Sequence, residues 1–253
     1  MKYKILTTVT IFINLILLVS SAFGQTEGKI TYVQSSNWAK MMAGLDYISA
    51  AQRDRNMYMF GNRSGWKQYK ILNYSPDKSK YENSEENAQP EMMGWSRKKE
   101  LFFIENNFKE SSSNIVMTFG GKQYIISDSI RNYKWKIGNN LKEIVSHICM
   151  NATTYDSLRK QNIEAWFALD LPVSAGPDRF GGLPGMILEV DINKGAMNYT
   201  AEKIEDIDLG TAFLKPKKIK GKKINFVQLN ALFKKSIEDK TKMEQPWFWE
   251  IPY

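Results

Sequence analysis

The stretch that decides the fold runs from Tyr133 to Leu169, YKWKIGNNLKEIVSHICMNATTYDSLRKQNIEAWFAL. Short runs rich in β-branched and aromatic residues alternate in it with turn signals, which are Gly138-Asn139-Asn140 and Gln161-Asn162. Runs of this length that are joined by tight turns are typical of antiparallel strands. The stretch therefore predicts successive strands of one antiparallel sheet.

Sequence on both sides of this stretch extends the predicted sheet. Further strands are predicted at Gly28–Gln34, Glu100–Ile104, Asn114–Phe119, Gln123–Ser127, Met186–Ile192 and Ala196–Ile204. A hairpin is predicted over Arg55–Tyr74, with its turn at Gly61-Asn62, because apolar and polar residues alternate there. The polar segment Ser75–Gln89 is predicted to be a loop.

Two segments carry apolar residues at spacings of three and four, which predicts amphipathic helices. The first is Asn37–Arg53, and the second begins at Asn225, where Gln228 three positions on predicts a capping box. The predicted fold is therefore mainly β (α+β). It is a strongly curved or half-barrel antiparallel sheet with two flanking amphipathic helices.

Composition excludes several kinds of site. The chain has 253 residues, 43% of them hydrophobic, with 35 Lys and Arg against 27 Asp and Glu. It has one His and one Cys, so neither a multi-histidine metal site nor an intrachain disulfide is possible. Nucleophile-elbow, metalloprotease and phosphate-loop motifs are also missing from the sequence. We therefore assign no catalytic residue and expect no metal and no cofactor.

The first 24 residues have the order of a secretory signal peptide. Met1–Lys4 is basic, Ile5–Val19 carries no charge, and small residues follow up to Gly24. Cleavage is predicted between Gly24 and Gln25, which leaves 25–253 as a single β-rich domain with no transmembrane segment. Because Lys2 and Lys4 are removed, the net charge falls from +8 to +6. We expect export through the Sec pathway to the periplasm, the outer membrane or the cell surface.

Charged and aromatic residues suggest which partners to expect. The six lysines between 215 and 223 are interpreted as a solvated loop, and an exported protein is not expected to bind nucleic acid. Large aromatic side chains supply flat apolar surfaces for ligands or partner proteins. The candidate contacts of this kind are Trp135, Phe180, Trp247 and Trp249.

One motif carries a family resemblance. Gly182-Leu183-Pro184-Gly185-Met186-Ile187 closely resembles the signature of the GLPGLI family, exported proteins of Bacteroidetes-type bacteria. The strand at Trp135, the segment His147–Thr153 and the approach through Gly176-Pro177 and Phe180 are similar to that family as well. The resemblance implies an exported class without an established activity. Pro184-Gly185 predicts a type II turn with a positive φ at Gly185, and Leu183 and Met186 are expected to pack inward.

The resemblance also draws attention to two short segments. Asp128-Ser129-Ile130 and Asp156-Ser157-Leu158 look like the acceptor motif for O-glycosylation in such bacteria. A modified serine must be exposed at the surface, so this interpretation depends on where the folded chain places Ser129 and Ser157.

Three functional hypotheses follow. The first is a periplasmic or outer-membrane-associated binding or assembly factor for an apolar or peptide-like ligand. The second is an envelope hydrolase that uses Cys149 with His147, or the acids near the Gly-Pro loop, namely Asp178, Glu189 and Asp191. The third is a protein whose tail, Trp247–Tyr253, docks on an outer-membrane receptor.

Overall fold

The computed structural model of the protein describes residues 27–60, 65–86, 101–207, 209–210, 212–214, 218–249 and 251, apart from the side chains of Phe60 and Trp249. The predicted signal peptide, with its cleavage site between Gly24 and Gln25, lies outside these residues. Within them, no helix is both long enough and apolar enough to cross a membrane.

The described residues form one open sheet of twelve strands, which agrees with the mainly β prediction. The strands are β1 Gly28–Ser36, β2 Lys67–Tyr74, β3 Lys78–Asn83, β4 Phe103–Asn107, β5 Ser112–Phe119, β6 Lys122–Ser129, β7 Lys136–Ile144, β8 His147–Asp156, β9 Gln161–Ala168, β10 Met186–Ile192, β11 Met197–Glu205 and β12 Lys222–Ile224. Their spatial order is β12-β6-β5-β4-β3-β2-β1-β11-β10-β9-β8-β7. Neighbouring strands are antiparallel, except that β12 is parallel to β6.

The sheet must curve strongly, because one short connection joins β7 at one edge to β6, the second strand from the other edge. The chain leaves β6 at Ser129 and enters β7 at Lys136, although ten strand spacings separate these strands in the sheet. In a flat sheet that distance would be about 48 Å. Seven residue steps reach at most about 25 Å. The two ends of the sheet are therefore folded toward each other, as in a half-barrel.

Helices flank the sheet; the first and the last of them pack on its larger core, whereas the middle one buries none of its described side chains. In the described chain they are α1 Trp38–Ala43, α2 Ala50–Phe60 and α3 Phe226–Lys242, followed by a short 3-10 helix at Trp247–Trp249. Met42 of α1 and Leu229 and Phe233 of α3 are buried in this core. The capping box of α3 is confirmed, because the Gln228 amide donates to Asn225 Oδ1 and the Asn225 amide donates to Gln228 Oε1.

A second, smaller core lies on the opposite face of β9. Ile163 and Phe167 belong to this smaller core, whereas Trp166 and Ala168 pack against the larger one. Successive side chains of a strand point to opposite faces, so β9 is covered on both sides. The cover on the smaller-core side comes from the long connection between β9 and β10, which holds the Gly-Pro motif.

Several local predictions are wrong in detail. The predicted turn Gly138-Asn139-Asn140 lies inside β7, where the pairing with β8 is irregular, and Gln161-Asn162 is the start of β9. The turns lie instead at 145–146 and 157–160.

The predicted helix 37–53 is split, because α1 ends at Gly44 and α2 begins at Ala50, although Leu45 and Ile48 between them stay buried. The first arm of the predicted hairpin is helical as far as Phe60, in a run without a single β-branched residue. Its second arm is strand β2, and its turn at 61–62 lies outside the described residues.

The predicted loop 75–89 contains a strand, β3. This strand is polar in sequence, yet it lies inside the sheet between β2 and β4. At the sheet edge, Lys222 and Lys223 of the lysine-rich segment belong to β12 and are exposed. Lysines on an edge strand oppose pairing with a further chain.

Candidate functional site

The connection from β9 to β10, residues 169–185, folds into a compact loop that we call the Gly-Pro loop. Backbone hydrogen bonds close it, because the Met186 amide donates to the Leu171 carbonyl and the Ile187 amide to the Ala175 carbonyl. The Tyr32 hydroxyl of β1 donates to the Ile187 carbonyl at 2.6 Å. The start of β10 is thus tied both to its own loop and to the middle of the sheet.

The signature segment packs as expected at two positions and differs at a third. Leu183 and Met186 are buried, as predicted. Gly185, however, is not among the residues with positive φ, whereas Gly182 has a φ of 87°. Gly185 is needed for a different reason, since a Cβ there would lie 2.1 Å from the Ala168 carbonyl oxygen. The loop passes too close to β9 for any side chain at this position.

Aromatic rings hold the Gly-Pro loop from the side of the β6–β7 connection. Tyr133 stacks on Phe180 with ring centroids 5.2 Å apart, and Phe180 contacts Tyr199 edge-on at 6.1 Å. The indole Nε1 of Trp135 donates to the Gly181 carbonyl at 2.8 Å. Trp135 and Phe180, both predicted as ligand contacts, anchor the loop, and Trp135 is not among the residues that line the cleft described below. Phe180 is only 3% exposed but still borders the cleft described below.

Charged groups are buried behind this aromatic layer. Asp178 Oδ1 lies 3.3 Å from Arg179 Nε and accepts the Arg179 amide at 2.8 Å. Burial raises the pKa of the Asp178 carboxyl, and the positive charges of Arg179 and Lys70 offset part of that rise. Burial also lowers the pKa of Lys70 to about 8. The loop therefore contributes a buried carboxylate that pairs with Arg179 and interacts electrostatically with Lys70.

An open cleft of about 260 Å³ lies between the two cores. One wall comes from β4, β5 and the start of α3, and the other from the β8–β9 turn and the Gly-Pro loop. The β6–β7 connection, residues 130–133, borders the cleft as well. These walls belong to opposite halves of the sheet, so the cleft exists only because the sheet curves.

Three arginines line the cleft, and two of them are paired with acids. Arg159 Nη1 lies 2.9 Å from Asp156 Oδ2, and its guanidinium lies 5.3 Å from the Phe233 ring. Arg179 is paired with Asp178 as described. The third, Arg131, is exposed and lies with its guanidinium 5.5 Å from the Phe226 ring. The cleft therefore combines positive charge with aromatic surface.

No motif in the sequence marks these arginines as site residues, and Asp156 stands out only as part of an acceptor-like segment. Arg131 and Arg159 stand in ordinary polar segments with no distinctive spacing. They meet because the β6–β7 connection and the β8–β9 turn converge on α3. The feature that could have indicated this site is the short β6–β7 connection, because its residues have to pass from one side of the curved sheet to the other.

Cys149 and His147, the candidate hydrolase pair, are not in the cleft lining. Cys149 is fully buried, and its Sγ contacts the His147 carbonyl oxygen at 3.6 Å. The His147 imidazole instead lies 2.7 Å from Asp170 Oδ2. Burial raises the pKa of the Cys149 thiol to about 11, so the thiol is protonated at neutral pH. This geometry provides no thiolate nucleophile.

We expect iodoacetamide at about pH 8 to leave Cys149 of the native protein unmodified, because the thiol is buried and protonated. After unfolding in guanidinium chloride, the single cysteine should react completely. Mass spectrometry of the two samples measures both outcomes. Rapid stoichiometric labelling of the native protein would contradict the burial and support the hydrolase hypothesis.

The acids near the Gly-Pro loop each have a partner. Glu189 Oε1 lies 2.5 Å from Lys142 Nζ, and Asp191 Oδ1 accepts the Gly195 amide at 2.7 Å. Asp178 is paired with Arg179. In the described part of the chain, no three His, Cys, Asp or Glu side chains form a group that could hold a metal ion.

The structure describes part of the aromatic tail and both acceptor-like segments. Trp247 is buried in the larger core, and the side chain of Trp249 lies outside the described residues. Ser129 and Ser157 are exposed. Both aspartates are engaged locally, since Asp128 accepts the Phe226 amide and Asp156 accepts the Leu158 amide.

The chain is similar to known proteins in one part of its sequence and in its fold. Residues 156–189 match the sequence profile of a family described as a protein of unknown function (Porph_ging). The matched segment supplies nine of the twenty residues that line the cleft. No curated protein matches the sequence of the chain.

Two crystal structures of PNGF-II resemble the chain in fold. The structure in space group P21 has a TM-score of 0.55 at 16% identity and covers 82% of this chain. The structure in space group C2 has a TM-score of 0.52 at 16% identity and covers 81%. The aligned part is only 33% and 32% of the respective PNGF-II chains. At this identity the likeness concerns the sheet-rich fold alone.

Proposed function

We propose that this protein is an exported binding or assembly factor of the cell envelope, which holds a peptide-like or apolar ligand in its cleft. One observation carries the proposal, namely that the segment which matches the uncharacterised family supplies nine of the twenty residues that line an open cleft of about 260 Å³. Concave sites with aromatic walls and a few polar groups are the usual form of ligand sites.

The character of the cleft supports a ligand with both apolar and polar parts. Tyr133 and Phe226 offer ring surfaces, and Arg131, Ser174 and Asn230 offer hydrogen-bonding groups. Peptides combine apolar side chains with backbone donors and acceptors, so they suit such a lining. A hydrolase receives less support, because Cys149 is buried and protonated and the acids near the loop are paired.

The cellular location belongs to the same proposal. The order of residues 1–24 supports export through the Sec pathway to the periplasm or the outer membrane. The Gly182–Ile187 motif supports membership of the GLPGLI family. Protein purified from its native cells should therefore be found in the envelope fraction and begin at Gln25. Intact-mass measurement checks this, and retention of Met1–Gly24 in the cytoplasm would contradict it.

The binding function is tested by filling the cleft. Asn230 lies on the first turns of α3 and lines the cleft, so Asn230→Trp should occupy it without disturbing the core. Lys235→Trp is the matched control, because Lys235 is exposed on the same helix outside the cleft lining. Each protein is purified from native cells, and small molecules that copurify are identified by mass spectrometry.

We expect the wild type and Lys235→Trp to retain the same ligand and Asn230→Trp to lose it. Circular dichroism should show that all three proteins are folded. A wild-type protein that carries no ligand, or an Asn230→Trp variant that retains it fully, would overturn the proposed function.

A further inference from the structure

The charges of the cleft point to the chemistry of its ligand. Arg131, Arg159 and Arg179 line it, whereas Asp156 is its single acidic lining residue among those described. Asp156 is already occupied by the Arg159 guanidinium and by the Leu158 and Arg159 amides. The lining is therefore net positive, and its acid has no capacity left to attract a cationic ligand.

Of the three arginines that line the cleft, Arg131 is the one whose guanidinium is available to bind a ligand. In the described part of the chain, its guanidinium makes no ion pair within 4.0 Å, although Asp128 is close enough to interact electrostatically. The Asp128 carboxylate is held by the Phe226 and Ser129 amides, which donate at 3.0 Å and 2.8 Å. The Arg131 side chain is exposed at the cleft and lies over the Phe226 ring.

This placement is suited to an anion. A guanidinium that lies on an aromatic ring is held in position while its N–H groups stay free for a ligand. Guanidinium and carboxylate groups match in geometry and form two parallel hydrogen bonds. Aromatic surface lies beside the charge, since Tyr133 and Phe226 border the same cleft.

We propose that the cleft recognises a carboxylate next to an apolar or aromatic group, as at the C-terminus of a peptide, and that Arg131 binds the carboxylate. The inference rests on the proposed binding function and deepens it. It assigns a charge to the ligand and a specificity-determining residue to the site.

The test compares two probes that differ only in charge, N-acetyl-Leu-Phe with a free carboxylate and the same peptide as the C-terminal amide. Binding to wild type, Arg131→Gln and Arg55→Gln is measured by isothermal titration calorimetry. Gln keeps a polar side chain without the charge, and Arg55 is an exposed arginine on α2, outside the cleft lining. Thermal unfolding of each variant confirms that it is folded.

We expect wild type and Arg55→Gln to bind the acid about tenfold more tightly than the amide, which is typical of one charged hydrogen-bonded pair. Arg131→Gln should lose this preference and bind the amide as before. Equal binding of acid and amide by the wild type would overturn the inference and leave the proposed function intact. An acid preference that survives in Arg131→Gln would overturn the assignment to Arg131. If neither probe binds at millimolar concentration, the peptide-like ligand and this inference both fail.

Discussion

Replacement of Gly185 by alanine is expected to lower the free energy of unfolding by about 3 kcal/mol, which corresponds to a fall of about 6 to 12 °C in Tm. The added Cβ would lie 2.1 Å from the oxygen and 2.8 Å from the carbon of the Ala168 carbonyl. Both atoms belong to the backbone of β9, which is paired with β8 and β10, so neither can move alone. Urea unfolding followed by tryptophan fluorescence measures the loss.

The matched control is Gly181→Ala in the same loop. A Cβ at Gly181 would come no closer than 3.4 Å to its nearest neighbour, the Ser174 carbonyl oxygen. Its φ is not positive, so the change in stability should stay within about 1 kcal/mol. If the two variants were equally stable, the close approach of the loop to β9 would be wrong.

Replacement of Asp178 by alanine is expected to cost about 3 to 5 kcal/mol, the usual range when one partner of a buried ion pair is removed. Asp178 is 7% exposed, and its carboxylate faces Arg179 and the buried Lys70. Without it, both cations keep their desolvation penalty and lose their nearby negative charge. Urea unfolding at neutral pH measures this loss.

Asp170→Ala is the control for Asp178. Its carboxylate pairs with His147, but the side chain is 59% exposed, so removal should cost less than about 1 kcal/mol. Asp178→Asn keeps the shape and removes only the charge, and its loss of stability should fall between those of the two alanine variants. An Asp178→Ala variant as stable as Asp170→Ala would show that the loop charges are not desolvated.

The two destabilising loop variants, Gly185→Ala and Asp178→Ala, should also weaken ligand binding, because the loop forms a wall of the cleft.

Much of the fold is predictable because its signals are local. Alternating β-branched runs and the Asn225–Gln228 capping box act over a few residues, and the corresponding strands and helix are present. The inward packing of Leu183 and Met186 is predictable for the same reason. The hydrophobic pattern of each segment is sufficient for such predictions.

Other features depend on neighbours that are distant in sequence. Strand β3 is polar, but Lys80 is buried there because the Ala212 and Leu214 carbonyls accept its ammonium at 3.3 Å and 3.4 Å. Gly185 is required by the backbone of β9 and not by its own φ. Neither partner can be identified from the residues next to Lys80 or Gly185.

The strand-rich class, the positions of most strands, the capped C-terminal helix and the resemblance of the Gly182–Ile187 motif can all be obtained from the amino-acid sequence. The order of the strands in the sheet, the position of Cys149 away from the cleft lining, and the meeting of three arginines in one cleft (Arg131, Arg159 and Arg179) follow only from the tertiary structure. The physical reason is the range of the interactions. Turn and strand preferences arise within a few residues, whereas the cleft forms only when twelve strands bend enough for a short connection to join the two ends of the sheet.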